Sequence, residues 1–165
     1  ISSMVGGRWA GGRAPISMNA CIESVLSLYC PRLEAKDIRV ETELAPDLPP
    51  VMADVRQMEI VFWNLVRNAE EAMAGPGKLA VRSSVRDGQV IVSVTDSGPG
   101  IPEAMRQGLF EPFAATKGDG GGIGLGLAIC RRIVRGHSGR IRAENTDGAG
   151  ATITIELPCF MIEEE

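Results

Sequence analysis

Residues 116–129 read TKGDGGGIGLGLAI. A glycine-dense stretch runs straight into an apolar, helix-like one. It is not a Walker loop, because no G-x-x-x-x-G-K-[ST] is present. Nor is it a dinucleotide fingerprint, because the G-x-G-x-x-G spacing is not met and no strand directly precedes it. Gly122, Gly124 and Gly126 instead recur at every second position and lead into a helix start. Backbone amides left bare there, together with the positive end of the helix dipole, make an anion site. A flexible surface loop satisfies the same residues, so the neighbours of the stretch have to decide.

Downstream, Leu125, Ala128, Ile129 and Ile133 share one face of a helix expected over 124–135. A hairpin follows, with strands over 140–145 and 151–157 joined by TDGAG. Upstream lies a long connection rich in glycine and proline, residues 96–122. Loops longer than about 12–15 residues are usually functional or disordered. Before it, strands over 79–85 and 89–95 meet at Asp87-Gly88, a favoured hairpin turn. The strongest helix of the chain starts at Asp54. Met58, Val61, Phe62, Leu65, Ala69, Ala72 and Met73 form its apolar stripe, Asp54 and Gln57 resemble a capping box, and Gly75-Pro76-Gly77 ends it. An earlier helix begins near Ser17, with Pro31 expected to kink or shorten it. IRVETEL, residues 38–44, alternates as a half-buried strand. Residues 1–14 show no period and read as a linker remnant before a single domain over 15–165. Helices do not alternate strictly with single strands. The expected class is therefore α+β, an antiparallel-rich sheet with helices on one face.

Composition narrows the function. An apolar fraction of 44% in 165 residues supports a real core. A net charge of −4 argues against nucleic acid as the main partner. No apolar run reaches the roughly 18 residues of a membrane span. Cys21, Cys30, Cys130 and Cys159 form no C-x-x-C pair, and His137 is the sole histidine, which speaks for free thiols and against zinc.

Two further motifs carry chemistry. DSGPG, residues 96–100, closes a strand. It makes a tight turn. It also sets an aspartate beside backbone without side chains, where a planar base can lie and donate an exocyclic amine to the carboxylate. In NLVRNAEEAM, Asn64 and Asn68 stand four apart on one border of the helix, with Glu71 on the same border. Their amide oxygens suit a hard cation that already holds phosphates and water. Two solvent-facing asparagines are the plain alternative, although asparagine is a poor mid-helix residue.

Taken in order, Asn64/Asn68, DSGPG, FEPFAATK and GIGLGLAI resemble the N, G1, F and G2 boxes of the GHKL superfamily. The likeness is to the catalytic, ATP-binding (HATPase_c) domain of bacterial two-component sensor histidine kinases. The NAEEAM form is similar to their nitrogen- and oxygen-sensing branch. The resemblance covers roughly residues 15–158, including the closing GAGATITIELP. It implies a two-layer α/β sandwich of the Bergerat type, a mixed and mostly antiparallel sheet, and a mobile ATP lid over about 102–122. It implies ATP and Mg²⁺ as cofactors. Asn68 looks like the Mg²⁺ ligand, with Asn64 beside it on the phosphates. Asp96 is similar to the aspartate that binds the adenine amine, with Gly98 and Gly100 giving the base room and Ile101 and Leu127 as apolar walls. Gly122, Gly124, Leu125 and Gly126 would bring amides to the phosphates, Lys117 a charge to the γ-phosphate, and Thr152 matches a threonine near the adenine.

The chain also departs from the pattern. The aromatic-Thr-Thr-Lys after the F box reads Phe113-Ala114-Ala115-Thr116-Lys117. Glu71 stands where many relatives carry lysine. Position 64 is asparagine where ATP-hydrolysing members hold a glutamate base, which favours phosphotransfer over hydrolysis. Nothing before Ser17 can be a phosphoacceptor hairpin, and His137 in RGHSG reads as a capping or packing residue. The resemblance therefore implies a donor half. It phosphorylates a histidine on a helical hairpin of the same kinase, upstream of a response regulator, in a cytoplasmic domain that makes no membrane contact itself. A regulatory nucleotide-binding module and an anti-sigma-type serine kinase are the alternative readings.

Overall fold

The computed structural model describes residues 12–111, 126–146 and 150–161. The helix expected from Ser17 is α1 (Met18–Ala35), with the Ser17 hydroxyl accepting from the Ala20 amide at its start. Its buried residues Met18, Cys21, Ile22, Val25, Leu26, Tyr29 and Leu33 recur at helical spacing. Pro31 neither stops nor shortens it, since it falls on an exposed face near the C-terminal end. There water can serve the carbonyl that proline leaves without a donor.

The second helix, α2 (Val55–Met73), buries Met58, Val61, Phe62, Leu65, Val66, Ala69 and Glu70. Half of the expected capping box is present. The Asp54 carboxylate accepts from the amides of Arg56 and Gln57 at 2.9 and 3.2 Å. The Asp54 amide does not bond back to Gln57; it donates to His137 Nε2 at 3.2 Å. The other ring nitrogen, Nδ1, lies 2.8 Å from the Ile133 carbonyl. Accepting at Nε2 leaves the proton on Nδ1, so His137 is a neutral, buried tie between the start of α2 and the end of α4 (Gly126–Gly136).

Beneath the helices lies a five-stranded sheet in the order β2 (Ile38–Leu44), β4 (Gly77–Arg86), β5 (Gln89–Asp96), β7 (Ala151–Pro158), β6 (Arg140–Asn145). Only β2 and β4 run parallel. Asp87 and Gly88, both at positive φ, close the β4–β5 hairpin as the sequence predicts. Leu79, Val81, Val92, Val94, Ile153 and Ile155 join the α1, α2 and α4 stripes in one core. A two-stranded pair, β1 (Ala14–Ile16) with β3 (Val51–Ala53), escapes the periodicity reading. Ala14 pairs with Ala53, so the expected linker joins the fold at its C-terminal end. Among the described residues, no helix is long and apolar enough to cross a membrane.

Glu70 is a carboxylate buried among these core residues. It is 1% exposed and accepts from the Tyr29 hydroxyl, from Arg32 Nε at 2.9 Å and from Lys36 Nζ at 2.6 Å. Burial alone would push its carboxyl up. The bonds from Lys36, Tyr29 and Arg32 outweigh burial and hold it at about 2. Its neighbour Glu71 is half-exposed and pairs with Arg67 at 3.1 Å on the outer face of α2.

Candidate functional site

Asp96 ends β5 in the middle of the sheet, between β4 and β7. It is only 5% exposed. Its Oδ1 accepts from the Gly98 amide at 2.9 Å, and the Ala151 amide also donates to the carboxylate. Burial raises its pKa above the ordinary value, against the opposing pull of those two amides. A dry carboxylate therefore faces a cleft of about 140 Å³. Ala72 and Asn68 of α2 form one wall, Ala151 and Ile153 of β7 the floor, and Gly100, Ile101 and Pro102 the rim. Met105 of the short helix α3 (Glu103–Arg106) and Leu109 beyond it close the far side. The volume falls below the roughly 300 Å³ of a site for a whole drug-sized ligand. It suits a flat heterocycle whose N–H donor meets Asp96 and whose substituents lie outside, toward α2 and α4.

The structure unites some of the sequence candidates and separates others. Asp96, Gly100, Ile101 and Asn68 line the cleft, and Gly98 supplies the amide that orients Asp96. Asn64 lies a turn away. Its Nδ2 donates to the Ile60 carbonyl at 2.8 Å. Its Oδ1 sits where it would come within 3.0 Å of a Cβ on Gly126, so the first turn of α4 approaches α2 closely only with glycine there. Leu127 is not a wall of the cleft. It belongs to the core, at 9% exposure, while Met105 and Leu109 line the cleft. Thr152 is also displaced. Its hydroxyl bonds Thr95 at 2.9 Å and Thr146 at 2.8 Å, and Ala151 reaches the cleft instead. Successive strand residues point to opposite faces, so one residue decides which side chain meets the site. Lys117, Gly122, Gly124 and Leu125 lie outside the described residues.

Two residues missed in the sequence complete the site. Gly150 has φ +92°, and a Cβ there would stand 1.8 Å from the Asp96 carbonyl oxygen. Gly150 thus lies directly on the backbone of Asp96. Asn145, the last residue of β6, bonds the backbone of Ile101. The signal for Gly150 was its place in GAGAT; nothing local marks Asn145.

The cysteines add no chemistry to the cleft. All four are free, and burial pushes the thiols of Cys21 and Cys130 up to about 12, so neither is a thiolate at neutral pH. Among the described residues no group of three or more His, Cys, Asp or Glu side chains is placed to hold a metal ion. The amide oxygens of Asn64 and Asn68 are neutral ligands, suited to a hard cation that brings its own anionic ligand.

Residues 53–160 match the family of histidine kinase-, DNA gyrase B- and HSP90-like ATPases. The chain belongs to that family. It is 36% identical to the adaptive-response sensory kinase SasA of Gloeothece citriformis over 143 residues, which is 85% of this chain and 36% of the relative. It is 36% identical to the signal transduction histidine-protein kinase AtoS of Escherichia coli over 146 residues, 87% of this chain and 23% of AtoS. The chain thus spans about a quarter to a third of these kinases. The nucleotide-free catalytic domain of histidine kinase ThkA superposes with a TM-score of 0.80 at 34% identity, over 89% of this chain and 95% of that domain. ThkA in complex with its response regulator protein TrrA superposes with a TM-score of 0.77 at 32% identity, over 90% of this chain and 42% of the kinase. The Asp96 strand end, α2 with its two asparagines and the start of α4 all lie within the matched stretch.

Proposed function

We propose that the chain binds Mg-ATP and is the phosphate-donating half of a histidine kinase, acting on a histidine of a helical hairpin domain outside the chain. The buried Asp96 carboxylate at the end of an apolar cleft is the observation that carries this reading. When bound, Mg-ATP supplies an activated γ-phosphoryl group. Asp96 accepts the adenine amine and fixes the ring's orientation. Ile101, Met105, Leu109 and Ile153 exclude water from its faces. Asn68, on the α2 wall of the cleft, ligates Mg²⁺, and Asn64 and the Gly126 amide take phosphate oxygens. The family resemblance assigns the Gly122, Gly124 and Leu125 amides to the same phosphates and Lys117 to the γ-phosphate.

Transfer is favoured over hydrolysis because Asn64 offers no carboxylate to a water molecule. Glu71, the nearest acid along that border of α2, is engaged by Arg67 on the outer face. The upstream hairpin and a response regulator are the partners, by analogy with ThkA and TrrA, and the domain works in the cytoplasm.

Asn68→Ala tests the metal assignment. Mg²⁺ is expected to raise the ATP affinity of the unsubstituted chain on the order of tenfold, about 1.4 kcal/mol. In the variant that gain disappears while thermal unfolding stays cooperative, because Asn68 is a cleft-lining residue outside the core. Calorimetric titration with and without Mg²⁺ reads it. An undiminished Mg²⁺ effect in the variant removes Asn68 from the metal.

A further inference from the structure

We propose that Asn145 is a positioning residue for nucleotide binding, which sets the rim of the cleft by holding the backbone of Ile101; this rests on the ATP reading of the cleft. Asn145 Oδ1 accepts from the Ile101 amide at 2.7 Å, and Asn145 Nδ2 donates to the Ile101 carbonyl at 3.1 Å. One side-chain amide thus satisfies both backbone groups of a residue 44 positions away, as a neighbouring strand would. Ile101 is the point where the chain leaves the Asp96 turn and enters α3, whose Met105 forms the far wall. Its position therefore sets the distance between the Asp96 end of the cleft and that wall.

The surroundings are fitted to this clamp. Gly100 has φ +85°, and a Cβ there would stand 2.9 Å from Asn145 Oδ1, so the clamp closes only over glycine. Next to Asn145, the Thr146 amide donates to the Gly150 carbonyl at 3.0 Å. Gly150 in turn rests on the Asp96 carbonyl oxygen. Asn145 thus couples the rim to the residue that receives the base, without lining the cleft itself. Its side chain is solvent-exposed, so the two bonds add little to global stability, and their value lies in preorganisation.

Asn145→Leu and Asn145→Ala, made in the full chain, test this with three measurements: ATP affinity with and without Mg²⁺, the unfolding midpoint without ligand, and hydrogen exchange at the Ile101 amide. Both variants are expected to bind ATP about tenfold more weakly, with the Mg²⁺ gain retained, the midpoint within about 2 °C of the parent, and Ile101 exchanging about tenfold faster. With the hairpin domain supplied, KM for ATP rises by the same factor at unchanged kcat. Parent-like affinity in both variants overturns the assignment, as does an affinity loss accompanied by a large fall in midpoint. A parent chain that binds no ATP contradicts the nucleotide reading instead.

Discussion

Replacing Asp96 by asparagine is expected to weaken ATP binding about 100-fold and to erase the preference for ATP over GTP. In the parent chain the carboxylate is 5% exposed, and its one oxygen is oriented by the Gly98 amide. An adenine amine pointed at it gains a charge-assisted bond, which mutational series place at about 1.5–3 kcal/mol. A guanine presents a carbonyl at that position, and two acceptors facing one another in a dry site leave both unpaired. Discrimination at sites built around a hydrogen bond is correspondingly large. The asparagine amide is donor and acceptor at once, so it removes the charge and tolerates the guanine carbonyl. Titration of both nucleotides against both chains reads the change. A parent chain indifferent to the base, or a variant that keeps the parent's ratio, shows that Asp96 does not read it.

Glu70→Ala is expected to cost about 2–3 kcal/mol of stability, at or just below the low end of the range for breaking a buried pair. The reason for the low end is exposure: the Arg32 and Lys36 side chains are 66% and 44% exposed and can return to water. The Tyr29 hydroxyl cannot, since Tyr29 is 2% exposed. For a domain of this size the midpoint falls by roughly 4–12 °C. The pH dependence has a definite sign. The folded carboxyl sits at about 2, below the ordinary unfolded value. Its contribution is therefore complete above the unfolded pKa of about 4.3 and is lost as pH falls through the folded one. The difference between parent and variant should shrink on acidification from pH 5 to pH 2. A constant difference over that window would show that the carboxylate's charge is not what stabilises the cluster.

Glu70 also shows where the sequence was legible and where it was not. It stands four residues after Val66 and so falls on the buried arc of α2. A glutamate within an apolar stripe is itself a signal of a buried pair, but Tyr29, Arg32 and Lys36 belong to another helix and leave no local trace. Elements held by local rules were readable. Asp87-Gly88 fixes its hairpin, Asp54 caps α2, and the stripe from Met58 onward sets the helix period. The β1–β3 pair was not, because three residues are too few for a period and the partners that order them are distant in sequence. Thr152 and Ala151 illustrate the sharpest limit. Both lie in the matching stretch, and only the pleat of β7, registered against β5, turns Ala151 to the cleft and Thr152 to Thr95. Of the candidates carried by a motif, Asp96, Gly100 and Asn68 line one cleft. Leu127 does not, because the amphipathic face of α4 draws it into the core. His137 holds its place between Asp54 and Ile133, as a packing histidine.

That buried, doubly bonded histidine bears on the central claim, that this chain donates phosphate to a histidine it does not contain. The most direct measurement mixes the chain with the separate helical hairpin domain and γ-labelled ATP with Mg²⁺, and follows acid-labile phosphate in each. No label is expected on the isolated chain, including at His137, and label is expected on the hairpin histidine only when the two are together. With ATP held near the parent's Kd, Asp96→Asn is expected to lose most of that label. Phosphate on His137 of the isolated chain, or nucleotide binding without any transfer to the hairpin, would contradict it.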